Sequence, residues 1–202
     1  MDLVAVFDPA GDPNGVLGDT PIFRSVDALV EAGIDCCVVA SPTEFHLESG
    51  LVLAEAGVHT MIEKPIASDV GQADQLIDAF DQAEVVGCVG HIERFNPAIR
   101  SMRDRISGGD LGDLYQISTR RQGPFVARVT DVGVIRDLGT HDIDLAMWLV
   151  GEQIVAVSSQ VAHRMGRKYE DLASITSRFS GGVVGNHLVN WLSPFKERTV
   201  QV

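Results

Sequence analysis

Thr60-Met61-Ile62-Glu63-Lys64-Pro65 is a short apolar run that ends in a charged turn. The same pattern occurs at residues 3–7, which end in Asp8, and at residues 36–40, which end in Ser41-Pro42. Continuous apolar runs of this length are typical of strands that are covered on both faces of a sheet. We therefore expect a polar group at the carboxyl end of each strand.

Helical periodicity lies between these runs. Apolar residues from Val70 to Phe80 recur at steps of three and four, and either Ser68 or Asp69 can cap this helix. Thr43 can cap an earlier helix in the same way. Strands that alternate with helices predict a parallel, doubly wound sheet, which is an α/β fold.

The composition changes near residue 94. Residues 1–93 carry 2 basic and 17 acidic side chains, whereas residues 94–202 carry 14 basic and 11 acidic ones. Asn96-Pro97 predicts the start of a helix that Gly108-Gly109 ends. Further elements are predicted as a helix from about 136 to 150 and strands at 114–120, 154–162, 172–179 and 183–192, the last two forming a hairpin. We predict a domain boundary after residue 93, with an α+β domain and a mostly antiparallel open sheet over 94–202.

The overall composition excludes several classes of protein. The chain has 202 residues, 45% of them hydrophobic and 22% charged, and can bury a core. Its net charge of −12 argues against nucleic acid or an anionic membrane as the main partner. No apolar run approaches the roughly 18 residues of a membrane span. Cys36, Cys37 and Cys88 have neither disulfide nor metal spacing, so we expect buried thiols and a cytoplasmic protein.

Asp8 occupies the position where a dinucleotide-binding fold holds the adenosine ribose, and an acidic residue there disfavours the 2′-phosphate of NADP. The alternative is that Asp8 only begins the turn Asp8-Pro9. The glycine loop G-x-G-x-x-G normally lies roughly 20 residues earlier, yet only seven residues precede Asp8. Gly15-x-x-Gly18 and Gly87-x-x-Gly90 do not fit this loop. Either the chain binds no dinucleotide, or it begins at what is normally the second strand.

Two segments carry groups suited to acid/base chemistry. Lys64 lies at the carboxyl edge of a predicted parallel strand, where ligands bind, although Lys-Pro is also common in solvated turns. Asp137, His141 and Asp144 are spaced four and three residues apart and share one helix face. This stripe is either exposed to water or turned into a cleft, where a histidine beside carboxylates serves as a general acid or base. No second clustered His or Cys accompanies His141, so we predict no metal site.

These segments together resemble the glucose-fructose oxidoreductase/inositol dehydrogenase (Gfo/Idh/MocA) family. The pieces that match it in order and spacing are Asp8-Pro9, Ser41-Pro42-Thr43 with His46, Glu63-Lys64-Pro65-Ile66-Ala67, Val89-Gly90-His91-Ile92-Glu93-Arg94-Phe95-Asn96-Pro97, Gly112-Asp113-Leu114 and Asp137-x-x-x-His141-Asp142. The Gly-His-Ile-Glu-Arg-Phe-Asn-Pro stretch looks most like the branch that acts on nucleotide-linked amino sugars, including UDP-N-acetylglucosamine 3-dehydrogenases.

The resemblance implies a Rossmann domain, a second α/β domain whose open sheet forms a homo-oligomer interface, and NAD(P) as cofactor, with Asp8 favouring NAD over NADP. It implies hydride transfer between nicotinamide and a sugar or cyclitol hydroxyl, in which Lys64 contacts both, His141 is the acid/base and Asp137 is its carboxylate. The expected cofactor-binding residues are Asp8, Ser41, Pro42, Thr43, His46, Glu63 and Lys64. The expected substrate-binding residues are Arg94, Asn96, Arg121 and Asp144, and a sugar diphosphate would also meet Arg120.

The sequence departs from the family at both ends. Family members begin with the glycine-loop strand, which lies between strands 2 and 4 of the Rossmann sheet, and they continue beyond Thr199-Val200-Gln201-Val202 with further sheet. We therefore predict an incomplete Rossmann-type sheet and a fragment. The alternative to an active dehydrogenase is a non-catalytic fragment that keeps the fold and the dimer surface without binding dinucleotide. A third possibility is a metal-dependent sugar hydrolase.

Overall fold

The computed structural model describes residues 2–127, 129 and 132–202. They form two compact units, one that ends at Gly90 and one that begins at His91. Parallel strands and helices make up the first unit, and a mostly antiparallel sheet with two long helices makes up the second. The predicted fold class, a Rossmann-type α/β part followed by an α+β part, is confirmed.

The strands of the first unit form two parallel sheets with no hydrogen-bonded pair between them in the described residues. Their bounds are β1 Val6–Phe7, β2 Ile22–Phe23, β3 Cys36–Val39, β4 His59–Ile62 and β5 Gly87–Val89. Strand β1 pairs with β2, and β4 lies between β3 and β5. A Rossmann sheet without the strand between β1 and β3 would divide in this way. The predicted strand at residues 3–7 is shorter than expected, because β1 has a single two-residue neighbour.

Three helices connect these strands, namely α1 Val26–Glu31, α2 His46–Glu55 and α3 Val70–Gln82. The Asp69 carboxylate caps α3 by accepting the Gln72 N–H at 2.9 Å, which confirms one of the two predicted caps. The prediction that Thr43 caps α2 is wrong. Thr43 begins a 3₁₀ turn, Thr43–Phe45, which leads directly into α2 without a side-chain cap.

The core of the first unit lies between one face of the β3-β4-β5 sheet and the helices α2 and α3. Val39 and Ile62 point into it and meet Leu53, Leu76 and Phe80. The alternate strand positions point to the opposite face. The expectation of buried thiols is therefore wrong: Cys36 and Cys88 are exposed and Cys37 is half-buried.

The second unit contains one five-stranded sheet and two long helices. The helices are α4 Pro97–Ser107 and α5 Thr140–Val150, and the strands are β6 Gln116–Pro124, β7 Ile154–Ala162, β8 Leu172–Phe179, β9 Val184–Asn190 and β10 Leu192–Gln201. The order across the sheet is β10-β6-β9-β8-β7, and only the β6–β9 pair is parallel. Helices α4 and α5 pack on one face, where Ile117, Leu145 and Phe179 share a core.

Capping residues and turns in the sequence mark where most of these elements begin and end. Asn96 caps α4 with its side-chain oxygen, Pro97 is the first helical residue, and Gly108 follows the last. The predicted hairpin is present, but the expected strand over 183–192 is interrupted at Trp191. The Trp191 N–H donates to the Asp171 carbonyl at 2.9 Å, and the Asn190 side chain accepts two backbone N–H groups, so the chain turns there from β9 into β10.

Within the described residues, none of the helices combines the length and the apolar character needed to cross a lipid bilayer.

Candidate functional site

In the first unit, predicted site residues follow the carboxyl ends of parallel strands. Asp8 comes directly after β1, Ser41 lies two residues after β3, and Glu63 and Lys64 come directly after β4. Open parallel sheets bind ligands at this edge. The first unit therefore presents polar groups where a ligand of a Rossmann sheet is expected.

Asp8 is exposed and forms a local turn. Its Oδ1 accepts the Ala10 N–H at 2.8 Å, and its carbonyl accepts the Gly11 N–H at 3.0 Å. The alternative that Asp8 begins a turn is thus observed. The second carboxylate oxygen and the exposure of the side chain remain compatible with the expected ribose contact.

Glu63 is packed against the end of β5. Its Oε2 accepts the Lys64 N–H at 3.1 Å, and a Cβ added at Gly90 would come within 3.1 Å of its Cδ. The Gly90 N–H donates to the Ile62 carbonyl at 2.8 Å and extends the pairing of the two strands. Glycine at position 90 therefore leaves the space that the Glu63 carboxylate occupies.

His46 lies inside the first unit and is 1% exposed. Its Nδ1 is 3.0 Å from the Pro65 carbonyl oxygen, and its Nε2 is 2.9 Å from the Ser41 carbonyl oxygen. This placement differs from the expected cofactor contact, because both ring nitrogens face backbone atoms of the protein. His46 instead connects the turn after β3 to the turn after β4.

The Ser41 hydroxyl is buried without a hydrogen-bond partner among the described residues. A buried hydroxyl left unsatisfied is unfavourable, so this position suits a ligand with a polar atom. Thr43 is half-buried and Pro42 is exposed beside it. None of the described glycines forms a G-x-G-x-x-G loop of the kind that binds a dinucleotide diphosphate.

In the second unit, Arg121 is the centre of a buried group of charges. Its Nε donates to Asp142 Oδ1 at 2.7 Å, and its Nη1 donates to Glu93 Oε1 at 2.8 Å. The Arg121 side chain is 6% exposed and that of Asp142 is 2% exposed. Arg198 approaches the same Glu93 oxygen at 3.9 Å. Arg121 thereby joins β6, α5 and the 3₁₀ turn Ile92–Phe95.

The two carboxylates in this group have opposite pKa shifts. Burial raises the pKa of Asp142 and outweighs the opposing charge and hydrogen bond of Arg121. Burial also acts to raise the pKa of Glu93, but Arg121, His141 and Arg198 outweigh it and leave that pKa lowered. The pKa of Arg121 is raised, since its two carboxylate partners outweigh its burial. Glu93 is therefore a charged carboxylate that interacts electrostatically with His141.

Asp137 and His141 are both half-buried, and Asp137 lies within an irregular turn that leads into the helix carrying His141. Asp137 lies in a π-helical segment, Ile135–Gly139, and His141 is the second residue of α5. The regular helix predicted from about 136 to 150 is thus preceded by a wider turn, and α5 itself begins only at Thr140. Such π segments occur frequently at functional sites. Here it lies immediately before the proposed acid/base.

The predicted substrate-binding residues have partners within the protein. Arg94 binds Asp144 through two hydrogen bonds, one of them Nε to Oδ2 at 2.9 Å, and His91 Nδ1 lies 3.5 Å from the same Asp144 oxygen. Asn96 Oδ1 accepts the Ala98 N–H at 3.1 Å as the cap of α4. Arg121 is committed to its two carboxylates. Of the four, Asn96 is exposed and Arg94 is half-buried.

Glu93 and Asp142 are not among the site residues predicted from the sequence. One signal was available, because Ile117, Thr119 and Arg121 alternate on β6 and the first two are apolar or small. An arginine on the buried face of a strand needs carboxylate partners.

In the described part of the chain, no three His, Cys, Asp or Glu side chains are grouped as metal ligands.

Two family models match this chain and together cover most of it. Residues 2–91 match the oxidoreductase family with an NAD-binding Rossmann fold, and residues 99–202 match the GFO/IDH/MocA C-terminal domain.

Individual relatives match over most of this chain and about half of their own length. The UDP-N-acetylglucosamine 3-dehydrogenase of Acidithiobacillus ferrooxidans is 35% identical over 164 residues, which are 81% of this chain and 50% of that protein. The myo-inositol 2-dehydrogenase of Thermotoga maritima is 27% identical over 180 residues, 84% of this chain and 54% of that protein. The solved structure of UDP-N-acetylglucosamine 3-dehydrogenase GnnA from A. ferrooxidans has a TM-score of 0.87 and 30% identity, over 98% of this chain and 62% of the other. The chain spans about half the length of the curated relatives it matches.

Proposed function

Because the chain belongs to the GFO/IDH/MocA oxidoreductase family, we propose that it takes part in NAD-dependent oxidation or reduction at a secondary hydroxyl of a sugar, nucleotide sugar or cyclitol. The observation that carries the proposal is the charge group of the second unit, in which Arg121 holds Glu93 at 2.8 Å and half-buried His141 also acts to lower the pKa of that carboxylate. A histidine beside fixed carboxylates is suited to proton transfer near neutral pH.

Each residue has a distinct part in the proposed chemistry. Bound NAD supplies the acceptor for hydride. His141 takes the proton of the reacting hydroxyl, and the carboxylates of Asp137 and Glu93 stabilise the imidazolium that results. Lys64 stabilises the negative charge that develops on the substrate oxygen. Asp8 binds the ribose of the cofactor, and this acidic contact favours NAD over NADP. Ser41 binds the nicotinamide portion.

A nucleotide sugar is the first substrate class to test. It is suggested by the name of a relative that is 35% identical over most of this chain, while a relative named for myo-inositol is 27% identical. A sugar diphosphate carries negative charge for the half-buried Arg94 to meet, whereas the exposed Arg120 lies on the other face of β6 from Arg121.

The test follows NADH formation from NAD with UDP-N-acetylglucosamine or myo-inositol. We expect His141→Asn and Lys64→Met each to lower turnover by about 10²- to 10⁴-fold. The matched controls His163→Asn and Lys196→Met remove the same residue types outside the proposed site and leave turnover unchanged. Unchanged turnover in His141→Asn on an accepted substrate would contradict the proposed role of this histidine.

A second candidate function is a non-catalytic protein that keeps the fold without binding dinucleotide. The division of the parallel strands into two sheets favours it, because the diphosphate normally lies beside the strand between them. Titration of NADH fluorescence with the purified chain separates the two candidates. A saturable change supports the dehydrogenase, and no change at millimolar NADH supports the second candidate.

We also propose that the outer face of the five-stranded sheet contacts a second copy of the chain. Helices α4 and α5 cover the other face, whereas Ser174, Thr176 and Arg178 of β8 are exposed. Sedimentation velocity tests this contact. A dimer that Thr176→Glu dissociates, and that Ser101→Glu on exposed α4 leaves intact, is the expected result; a monomeric wild type would contradict it.

A further inference from the structure

The imidazole of His46 bridges two turns that carry different parts of the proposed site. One turn contains Ser41 and follows β3, and the other contains Lys64 and Pro65 and follows β4. The ring is 1% exposed, so water does not replace these contacts. Both partners are main-chain carbonyl oxygens, which accept hydrogen bonds and cannot donate them.

The hydrogen-bonding capacity of imidazole determines how strongly it can join the two turns. A neutral ring has one N–H and donates to one of the two carbonyls, whereas a protonated ring donates to both. The structure places Nε2 2.9 Å from the Ser41 oxygen and Nδ1 3.0 Å from the Pro65 oxygen, so an N–H on either nitrogen has a carbonyl to donate to. An apolar side chain of similar size fills the volume but leaves two carbonyls without this donor.

We propose that His46 is a positioning residue that fixes the backbone next to Lys64 through the Pro65 carbonyl. Lys64 and Pro65 are adjacent, so a constraint on the Pro65 carbonyl limits where the Lys64 side chain starts. The bond to Ser41 anchors the ring itself to the neighbouring strand end. The bridge involves only residues of the first unit. Its consequence for catalysis rests on the function proposed above for Lys64.

The chain offers a direct spectroscopic test. It has three lysines, Lys64, Lys168 and Lys196, so protein labelled with ¹³C at lysine Cε gives three resolvable signals, and Lys64→Arg assigns the first. We expect His46→Leu to shift or broaden the Lys64 signal and to leave those of Lys168 and Lys196 in place. His46→Asn retains a side-chain donor and restores the Lys64 signal towards that of the wild type.

The matched control is His59, another histidine of the first unit that bonds to backbone. Its Nδ1 accepts the Val86 N–H at 3.0 Å, and it begins β4 rather than following it. His59→Leu should leave the Lys64 signal unchanged. An unmoved Lys64 signal in His46→Leu, or an equal shift in His59→Leu, would overturn the positioning role.

A measurement on the wild type covers the case in which His46→Leu does not fold. ¹⁵N-histidine spectra should show a His46 ring N–H that is protected from solvent exchange, as a buried donor to a carbonyl must be. Assignment comes from His46→Asn. Absence of any protected ring N–H from His46 would refute the bridge.

Turnover measurements test the catalytic consequence separately. Misplacement of a reacting group by about 1 Å lowers rate by roughly 10²-fold. We expect His46→Leu to lower kcat by about that factor with little change in the KM for substrate, and His46→Asn to recover part of it. If the wild type shows no turnover while the lysine signals respond as expected, the proposed function fails and the positioning role stands. If kcat is unchanged in His46→Leu, the catalytic consequence is wrong.

Discussion

Arg121 and Asp142 form a buried ion pair, with 2.7 Å between Nε of the first and Oδ1 of the second. The pair fastens β6 to the first turn of α5, one residue after the proposed acid/base His141. The same guanidinium holds Glu93 at 2.8 Å. The arginine that the sequence offered as a phosphate ligand therefore holds two carboxylates of the protein itself, Asp142 and Glu93.

Removing one partner of this pair should destabilise the second unit strongly. Arg121→Met leaves two carboxylates without their main partner in a site that water scarcely reaches, and this class of change costs about 3–5 kcal/mol. Urea unfolding followed by tryptophan fluorescence reports on this unit, because Trp148 and Trp191 both lie in it. We expect Arg121→Met combined with Asp142→Asn to lose less stability than the sum of the two single changes.

The neighbouring Arg120 provides the control for that experiment. It points to the other face of β6, is half-exposed, and lies 3.5 Å from Glu197. Exposed pairs contribute at most about 1 kcal/mol, so Arg120→Met should have a small effect. Strict additivity of the Arg121 and Asp142 changes would show that the pair contributes no coupling energy.

His187 should make the second unit sensitive to acid. Its ring lies between Thr119 Oγ1 at 2.9 Å and Ser177 Oγ at 3.1 Å, and both hydroxyls can donate or accept to a neutral ring. Burial lowers the pKa of His187 from 6.5 to about 4. The unfolded chain therefore takes up a proton near pH 6.5 that the folded unit binds only near pH 4. The stability from this residue is complete above pH 6.5 and is lost as the pH falls towards 4.

The measurement compares unfolding free energies at pH 7 and near pH 4. The lowered pKa of His187 corresponds to a loss of unfolding free energy on the order of 3 kcal/mol between these two pH values. The glutamine of His187→Gln cannot titrate. The unfolding free energy of this variant is therefore expected to lie below that of the wild type at pH 7, and the difference should shrink as the pH falls. His163→Gln, at an exposed histidine of the same unit, should follow the wild type. A constant difference between His187→Gln and the wild type across this range would rule out the assigned pKa.

Strong local patterns allowed much of the fold to be predicted. Strands β7 and β8 were located to the residue, because their flanking turns and β-branched content are unambiguous. The strands predicted at residues 3–7 and 183–192 were too long. The length of β1 depends on its neighbouring strand, and the break at Trp191 depends on a hydrogen bond from its N–H to the carbonyl of distant Asp171. Exposure of Cys36 likewise depends on which face of the sheet the helices cover.

The candidate site was less accessible from sequence than the fold. His141 and Lys64 follow recognisable motifs, but Arg121 meets Asp142 and Glu93 at separations of 21 and 28 residues, which no local pattern encodes. The two contacts of His46 are also tertiary, and its motif gave no indication that both ring nitrogens face carbonyls.

Asn96 allows a cap and a substrate ligand to be distinguished. Its side chain accepts the Ala98 N–H at the start of α4, and loss of such a cap costs about 1 kcal/mol. We expect Asn96→Ala to lower the unfolding free energy by that amount, and Asn96→Asp, which can still cap, to restore it. If Asn96 only caps the helix, the KM for substrate is the same in all three proteins. A raised KM in both variants would instead support the expected substrate contact.

Gly50 and Gly71 offer a matched pair in the first unit, with one glycine in α2 and one in α3. A Cβ at Gly50 would overlap the Leu76 side chain and lie 3.1 Å from Ile62 Cδ1, so Gly50→Ala forces two core residues to move. Overpacking of this kind costs about 1–3 kcal/mol. A Cβ at Gly71 meets only Asp69 Oδ1, at 3.4 Å, so Gly71→Ala should stabilise α3 by about 0.5–1 kcal/mol.

Because Trp and Tyr are absent from residues 1–90, amide hydrogen exchange of α2 and α3 is the appropriate measurement. Faster exchange in Gly50→Ala and slower exchange in Gly71→Ala are expected, and equal protection in both would contradict the close packing of α2 on α3.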